Sequence, residues 1–344
     1  MDTETLIPGG LAREEYERVR RELTGYCYRM LGSLPDAEDA VQETMIRAWR
    51  GAASFEGRSA VRTWLHRIAT NVCLDLLKDR GRRALPMDFG PATRVRDADK
   101  AGGPTPEHEW ILPAPDARIL AETADPAQRA VERESVRLAF IVALQRLPPR
   151  QRAVLILREV LAFSAAETAN LLETTVASVN SALQRARATV PTPREAPHDT
   201  NTKTDTDTDT DTNTDTDTDT EELDQPLLDE YIKAFESYDM PRLTALLRAD
   251  VVQSMPPFPL WIQGAEEIVA WMLGPGADCR GSKLIPLRAN GGPAYIQYRA
   301  DGHGGYKPWS LVVMETKGGK ISALHAFVLP DDFAAYGFPE TPDR

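Results

Sequence analysis

Three patterns of hydrophobic and polar positions follow one another along this chain. From about Arg13 to Arg83 apolar residues recur at helical spacing. Ala37, Ala40, Val41, Thr44, Met45 and Ala48 share one helix face, with Glu38, Asp39, Gln42, Glu43 and Arg47 on the other; Val61, Trp64, Leu65, Ile68, Ala69, Val72 and Leu76 form a second, stronger stripe. Between Pro86 and Pro126 the periodicity stops and Pro, Gly, Asp and Ala dominate, which predicts a linker. Helical spacing returns from about Ala127 to Val190, where Leu155, Leu161, Ala165, Ala169, Leu171 and Leu172 supply apolar faces. Ser164 with Glu167 makes a capping box, Glu173-Thr174-Thr175 a turn, and Thr175 caps a last helix. Val176, Val179 and Leu183 are expected to point inward there, leaving Ser178, Asn180, Ser181, Gln184, Arg185 and Arg187 outward.

After Val190 an almost strict Thr-Asp alternation runs through Thr220. Both partners are polar, so nothing can be buried against the ordering entropy, and residues 191–222 read as a disordered, self-repelling spacer. A calcium loop would need a glycine and a terminal Glu that the tract lacks. From residue 223 to 344 the pattern changes again. Leu228, Tyr231, Phe235 and Tyr238 make an amphipathic helix, and Leu243, Leu246 and Leu247 a shorter one. Strands are expected at Val251–Met255, Lys283–Ala289, Ala294–Arg299, Ser310–Thr316 and Lys320–Val328, the last two joined by Lys317-Gly318-Gly319. The expected fold class is therefore multidomain: two all-α domains, at 13–85 and 127–190, and a C-terminal α+β domain with a curved antiparallel sheet.

The 344 residues carry a formal net charge of −12, which argues at first against a nucleic-acid binder. Its distribution reverses that reading. Asp199 to Glu222 holds ten acidic residues against one lysine, whereas Phe55 to Ala84 holds seven basic against three acidic. A local basic patch, rather than the whole-chain charge, sets the footprint on DNA. The spacer either mimics nucleic acid on that patch or serves as an inert tether. Cys27, Cys73 and Cys279 are odd in number and widely spaced, so neither a disulfide framework nor a zinc site is expected. No stretch approaches the roughly 18 to 20 apolar residues of a membrane span, and a soluble cytoplasmic protein with no membrane partner is expected.

The segment PPRQRAVLILREVLAFSAAETANLLETTVASVNSALQRARATV at 148–190 has the form of a helix-turn-helix, and its outward set suits a major-groove reader. With DAEDAVQETMIRAWR at 36–50 and SFEGRSAVRTWLHRIATNVCLDLLKDRGRR at 54–83, it resembles the two conserved domains of a sigma-70-type, extracytoplasmic-function (ECF) sigma factor of bacterial RNA polymerase, over about half of the chain. The resemblance implies that the first motif binds core polymerase through Asp39, Gln42, Glu43 and Arg47, facing a coiled coil of the largest subunit. It implies that the second opens and reads the −10 element. Phe55 and Asn71 would form a pocket for an extruded base, Arg58, Arg62, Arg67, Lys78, Arg80, Arg82 and Arg83 would hold phosphates, and Asp75 would lie near upstream −10 bases. Trp64 lies on the apolar stripe as core does, although family members expose aromatics near the melted strand. Asn180, Ser181, Gln184 and Arg185 fall where the family reads the −35 element. Thr175 and Arg187 would be backbone contacts, and Ser178 belongs to the same face. Asn180 stands where Lys or Arg is commoner, which changes the expected −35 sequence.

The C-terminal run YIKAFESYDMPRLTALLRADVVQSMPPFPLWIQGAEEIVAWM at 231–272 resembles the SnoaL-like, ketosteroid-isomerase-like cone fold, and sigma factors carrying such a domain are thought to use it for regulation. EHEWILPAPD at 107–116 resembles a linker signature of those groups, so this linker and the C-terminal domain are expected to touch. Met255, Trp261, Trp271, Tyr298, Trp309 and His325 are candidates to line a pocket or to form plain core. Asp278, His303 and His325 are available as acids or bases, but nothing relates their positions, so no catalytic residue, cofactor or metal is expected. Two other readings stay open. One is a free-standing DNA-binding regulator that never joins the polymerase; the other is a bifunctional protein whose cone domain binds or transforms a small molecule.

Overall fold

Small residues let the first helices approach closely, and that sets the N-terminal packing. α1 (Arg13–Leu31), α2 (Leu34–Gly51) and α3 (Val61–Leu76) meet through Ala37, Ala40, Val41, Thr44 and Ala48 of α2, Leu65, Ala69 and Val72 of α3, and Leu23, Tyr26 and Met30 of α1, all buried. The computed structural model describes residues 13–51, 60–78, 80–100, 102–121, 125–190, 218–329, 331 and 333–342. Most of the Thr/Asp spacer, 191–217, lies outside the described residues, and its last residues stand in a helix that begins at Thr218. Among the described residues no helix is long and apolar enough to cross a membrane.

The aperiodic stretch after Pro86 does not hang free. It forms three short 3-10 turns, Pro86–Asp88, Val95–Lys100 and Glu107–Glu109, and the single turn α4 (Asp116–Ile119). Between them Trp110, Ile111, Leu112 and Ala114 are buried in the same core as the helices. α4 lies so close to α1 that a Cβ on Gly25 would come to 2.2 Å from the Ile119 carbonyl. The path is extended and rich in proline, so hydrophobic periodicity carries no trace of its burial.

The second helical unit comprises α5 (Pro126–Glu134), α6 (Leu138–Gln145), α7 (Pro149–Leu155) running on into a π-turn at Ile156–Val160, α8 (Ala165–Leu171) and α9 (Val176–Thr189). The expected caps are present. Ser164 Oγ accepts from the Glu167 amide at 3.1 Å and Glu167 Oε2 from the Ser164 amide at 2.8 Å, which holds the Glu167 carboxyl below its ordinary range. Thr175 Oγ1 accepts from the Ser178 amide at 3.1 Å. Two buried arginines join the helical units. Arg29 of α1 donates to Ser135 Oγ at 2.9 and 2.8 Å and to the Glu132 carbonyl at 3.2 Å. Arg152 of α7 donates to the Met30 carbonyl and, at 2.7 Å, to Gln145 Oε1. Burial pulls both guanidinium groups down to about 10.

The C-terminal domain packs α10 (Thr218–Glu236), α11 (Met240–Leu246) and α12 (Ala265–Leu273) on a six-stranded sheet of β1 (Leu247–Ser254), β2 (Trp261–Gln263), β3 (Lys283–Ala289), β4 (Gly292–Ala300), β5 (Tyr306–Lys317) and β6 (Lys320–Val328), in the order β2-β1-β6-β5-β4-β3. It is a cone-type α+β fold. The sheet is mixed rather than purely antiparallel, because β1 runs parallel to β6, where α10, α11 and β1 return the chain to the sheet beside its last strand. β2 and α12 were not anticipated. Both faces of the sheet are buried. Val312, Met314, Leu324 and Tyr295 face the domain's own helices, whereas Leu311, Val313, Phe327 and Leu329 join the core of the helical units and linker.

Candidate nucleic-acid interface

On α9, Val179, Leu183 and Ala186 are buried, and Ser178, Asn180, Ser181, Gln184, Arg185 and Arg187 are exposed. Val176 does not point inward as expected; it is 43% exposed. Residues 173–178 are all exposed, so the first turn of α9 stands clear of the body that supports the rest of the helix. That is the part of a recognition helix that enters a groove. The Thr175 hydroxyl donates to Ser178 Oγ at 3.0 Å, and Arg187 donates to Glu159 at 2.6 Å.

Phe55 and Arg58 lie outside the described residues. Asn71 and Asp75 are exposed, one helical turn apart on α3. The expected phosphate holders that are described, Arg62, Arg67, Lys78, Arg80, Arg82 and Arg83, share one property: each is paired with a carboxylate of this same chain. Arg62 pairs with Glu22 at 2.5 Å, Arg67 with Glu173 at 2.5 Å, Lys78 with Asp75 at 2.7 Å, Arg82 with Asp88 at 3.4 Å, Arg83 with Asp36 at 2.6 Å, and Arg80 also with Asp36. The Lys78 hydrogen bond holds the Asp75 carboxyl below its ordinary range. Arg83 departs furthest from expectation. It is 5% exposed and donates to the Glu107 carbonyl at 2.9 Å and to the Trp110 carbonyl, so it fastens the linker rather than facing outward.

One of these pairs crosses from one helical unit to the other, and Arg62 makes a second crossing that is not an ion pair. Arg67 of α3 reaches Glu173 in the turn of the helix-turn-helix. Arg62 donates to the Leu161 carbonyl at 3.2 Å and stacks 4.4 Å above the Phe163 ring, a contact that adds a cation–π attraction to the ion pair. Beneath them His66 is buried, its Nδ1–H donating to the Arg62 carbonyl at 2.9 Å and its ring 5.2 Å from that of Phe163. Burial lowers its pKa below the ordinary histidine value. Trp64 is half-buried against the core.

The four residues expected at the polymerase surface of α2 divide into two pairs. Asp39 and Gln42 line an open groove of about 780 Å³ with Ile46 and Trp49 of α2 and Tyr16 and Arg20 of α1. Glu43 and Arg47 turn away: they pair with each other at 2.7 Å, and Arg47 also stands 3.7 Å from Asp75. Sequence reasoning missed Trp49, which is 65% exposed. Its signal was an aromatic on the polar side of an amphipathic helix.

In the cone, Met255, Trp271 and Trp309 line a cavity of about 410 Å³, whereas Trp261, Tyr298 and His325 do not. Strand alternation explains the second and third. Leu324, Ala326 and Val328 face the cavity, so His325 between them points to the other side, where Ser254 Oγ and Nδ1 share a 2.8 Å hydrogen bond. Tyr295, Gln297 and Arg299 face inward, so Tyr298 turns out and donates to the Pro339 carbonyl at 2.8 Å. Trp261 stands in short β2, and its indole N–H donates to the Gly90 carbonyl at 2.9 Å. Asp278, His303 and His325 are not brought together: Asp278 pairs with Arg299 at 2.8 Å, and His303 is exposed in the β4–β5 loop.

The C-terminal domain touches the sigma-like half through a second feature that the sequence reading missed. Asn290-Gly291 turns β3 into β4, both residues at positive φ (50° and 71°), which is the backbone that an Asn-Gly hairpin favours. The tip sits between the helical units and the linker. Asn290, 1% exposed, exchanges hydrogen bonds with Ala114, accepting from its amide at Oδ1 (3.0 Å) and donating its own amide to its carbonyl (3.0 Å). Its Nδ2 donates to Tyr28 of α1 at 2.6 Å and to the Val136 carbonyl at 2.8 Å. The Gly291 amide donates to Asp116 at 2.8 Å, and a Cβ there would come to 2.4 Å from the Arg133 carbonyl. One turn thus holds α1, the linker and the start of α6 together.

Comparison with known proteins gives a consistent result. The Sigma-70 region 2 family matches residues 15–83, and the Sigma-70 region 4 family matches residues 137–190. The ECF RNA polymerase sigma factor SigG of Mycobacterium tuberculosis is 42% identical over 329 residues, covering 94% of this chain and 83% of SigG. SigJ of the same organism is 25% identical over 331 residues. A crystal structure of Mycobacterium tuberculosis SigJ superposes with a TM-score of 0.56 at 22% identity, over 96% of this chain and all of that one, so the fold is shared along the whole length.

Proposed function

The chain belongs to the extracytoplasmic-function sigma factors, and on that footing we propose how its surfaces divide the work of directing core RNA polymerase to promoters in the cytoplasm. The groove face of α2 docks core polymerase through Asp39, Gln42, Ile46 and Trp49. α3 reads and opens the −10 element, with Asn71 and Asp75 at the bases and Arg62, Arg67, Lys78, Arg80 and Arg82 at phosphates. Phe55 and Arg58 belong to the same set by resemblance. α9 reads the −35 element through Asn180, Ser181, Gln184 and Arg185, with Thr175, Ser178 and Arg187 at the backbone. Arg83 is assigned to the linker instead. The C-terminal domain is assigned no catalytic part: Asp278, His303 and His325 are not brought together there, and His325 lies outside the cavity.

The conformation described above is a closed one, and the observation that carries this reading is the contact between the two DNA readers. Elements named for −10 and −35 lie about 25 base pairs apart, or roughly 85 Å along the duplex at 3.4 Å per pair. Arg67 and Glu173 are 2.5 Å apart, so α3 and α9 engage both elements only after they separate. The Asn290 turn and the linker hold them closed, which makes the C-terminal domain a brake. Run-off transcription with purified bacterial core polymerase on a library of paired −35/−10 promoters tests this. The whole chain is expected to initiate from a restricted set, and Asn290→Ala to initiate more strongly from the same set. Weaker initiation by that variant would overturn the brake. DNA binding without initiation by either protein would replace the assignment with a free-standing regulator.

A further inference from the structure

The cavity of the cone domain has no part in the reading above, and it is closed by residues from another part of the chain. Ala98, Asp99 and Gly102 of the interdomain linker form one side of it. This length of linker is anchored to the cone at three points: the Thr93 amide donates to the Trp261 carbonyl at 2.7 Å, the Val95 amide to Glu267 at 2.9 Å, and the Thr105 amide to the Pro257 carbonyl at 2.9 Å. Five residues beyond Gly102, the Glu107 carbonyl receives Arg83 from the end of the −10 reading segment.

We infer that this cavity is a binding site for an uncharged, ring-containing small molecule bearing a hydrogen-bond acceptor, and that the linker residues Ala98, Asp99 and Gly102 are its lid. At about 410 Å³ it falls within the roughly 300–1,000 Å³ usual for small-molecule sites. Its walls are Phe235, Met255, Phe258, Trp271 and Trp309, which suit flat apolar rings. Charge disfavours an anion. Among the described lining residues the one cation, Arg299, is already paired with Asp278 at 2.8 Å and stacked 4.2 Å over Trp309, and Asp99 adds a further negative charge. The polar handle is the Tyr231–Tyr295 pair. Tyr295 donates to the Tyr231 oxygen at 3.3 Å, which leaves the Tyr231 hydroxyl proton to be given to a ligand. Burial keeps both phenols protonated, so each retains a hydroxyl proton to donate. Gln297, by contrast, is satisfied by Ser282 and Ser310 and stays part of the wall.

Three probes of one shape separate these elements in fluorescence titrations of the full chain: 2-acetylnaphthalene, 2-ethylnaphthalene and 2-naphthoate. The expected order is saturable binding of the ketone, binding of the hydrocarbon several-fold weaker, and binding of the carboxylate at least tenfold weaker than the ketone. The double substitution Tyr231→Phe/Tyr295→Phe should bring the ketone to the level of the hydrocarbon, and Ala326→Trp, which fills the cavity from the sheet, should abolish both. Trypsin reads the lid, because Arg96 and Lys100 are cleavage sites on it and the Arg96 side chain is exposed. The bound ketone should slow cleavage there several-fold. No saturable binding of any probe, tightest binding of the carboxylate, or undiminished binding by Ala326→Trp overturns the site. Ketone binding with unchanged cleavage overturns the lid. None of these readouts involves DNA or polymerase, so they stand or fall apart from the promoter assignment.

Discussion

The two working faces of the N-terminal half are covered in opposite ways. The groove face of α2 lies open, with Ile46 at 37% and Trp49 at 65% exposure. Every described basic side chain expected at phosphates on and after α3 is matched by one of the chain's own carboxylates, and one of those matches, together with the contacts of Arg62 on Leu161 and Phe163, ties α3 to the helix-turn-helix. The difference teaches an order of events. A partner that needs an apolar ledge meets it at once, whereas a partner that needs free cations must first displace internal acids. On the proposed assignment of these faces, polymerase is expected to engage before promoter DNA.

The largest expected effect strikes the open face. Trp49→Ala removes an exposed aromatic of the kind that dominates interfaces, with a cost of about 2–4 kcal/mol, or roughly 30- to 1,000-fold in affinity for core polymerase. Fluorescence anisotropy with labelled protein measures it, and affinity of the free chain for promoter DNA should not change. Equal loss of both would break the comparison. Next comes the joint behind the closed face. Asn290→Ala removes three side-chain hydrogen bonds at a buried site and should lower stability in urea by about 2–3 kcal/mol, since several buried partners are left unmatched.

The third prediction uses pH. His66 faces Glu22 of α1, whose Oε1 is 3.4 Å from Nε2, the Arg62 carbonyl of its own helix, and the rings of Tyr26 and Phe163. Its pKa in the folded chain is lowered, chiefly by burial, so below the unfolded value of about 6.5 the unfolded chain binds a proton that the folded chain refuses. Stability should thus fall as pH drops from 7 toward 5.5, by up to about 1.4 kcal/mol per pH unit for this one proton. His66→Gln should flatten that slope, as followed by urea titrations at each pH. The smallest effect belongs to Glu173→Ala. Arg67 and Glu173 are both exposed, so freeing Arg67 should change stability by less than about 1 kcal/mol. It should still raise promoter DNA affinity by a few-fold at low salt, an advantage that disappears as salt is added.

The helices were the most legible part of this molecule. Ser164 with Glu167 and the stripes of α2 and α3 are local signals, and the structure carries them unchanged. What could not be read is what depends on a distant partner. Trp110 and Ile111 are buried because a cone domain and two helical units meet around them, and no window of sequence contains that fact. Arg83 resembles in sequence the neighbours expected at phosphates; only the fold brings the Glu107 and Trp110 carbonyls to it. Among the cavity candidates, aromatic identity alone chose Tyr298. Register would have chosen Tyr295, three residues earlier on the opposite face. The Asn290-Gly291 pair was legible as a hairpin but not as a clasp.

The twofold burial of the sheet gives the brake a property beyond its hydrogen bonds. Leu311, Val313 and Phe327 of one domain's sheet, with Leu329 just beyond its last strand, belong also to the other domains' core. When the helical units swing apart, these side chains meet water, at about 2 kcal/mol for each if fully exposed. On the proposed opening, the open molecule would be adhesive as well as active and short-lived in free solution, so that an excess of this protein over polymerase would collect as a closed reserve and the open form would persist only where another surface shelters it.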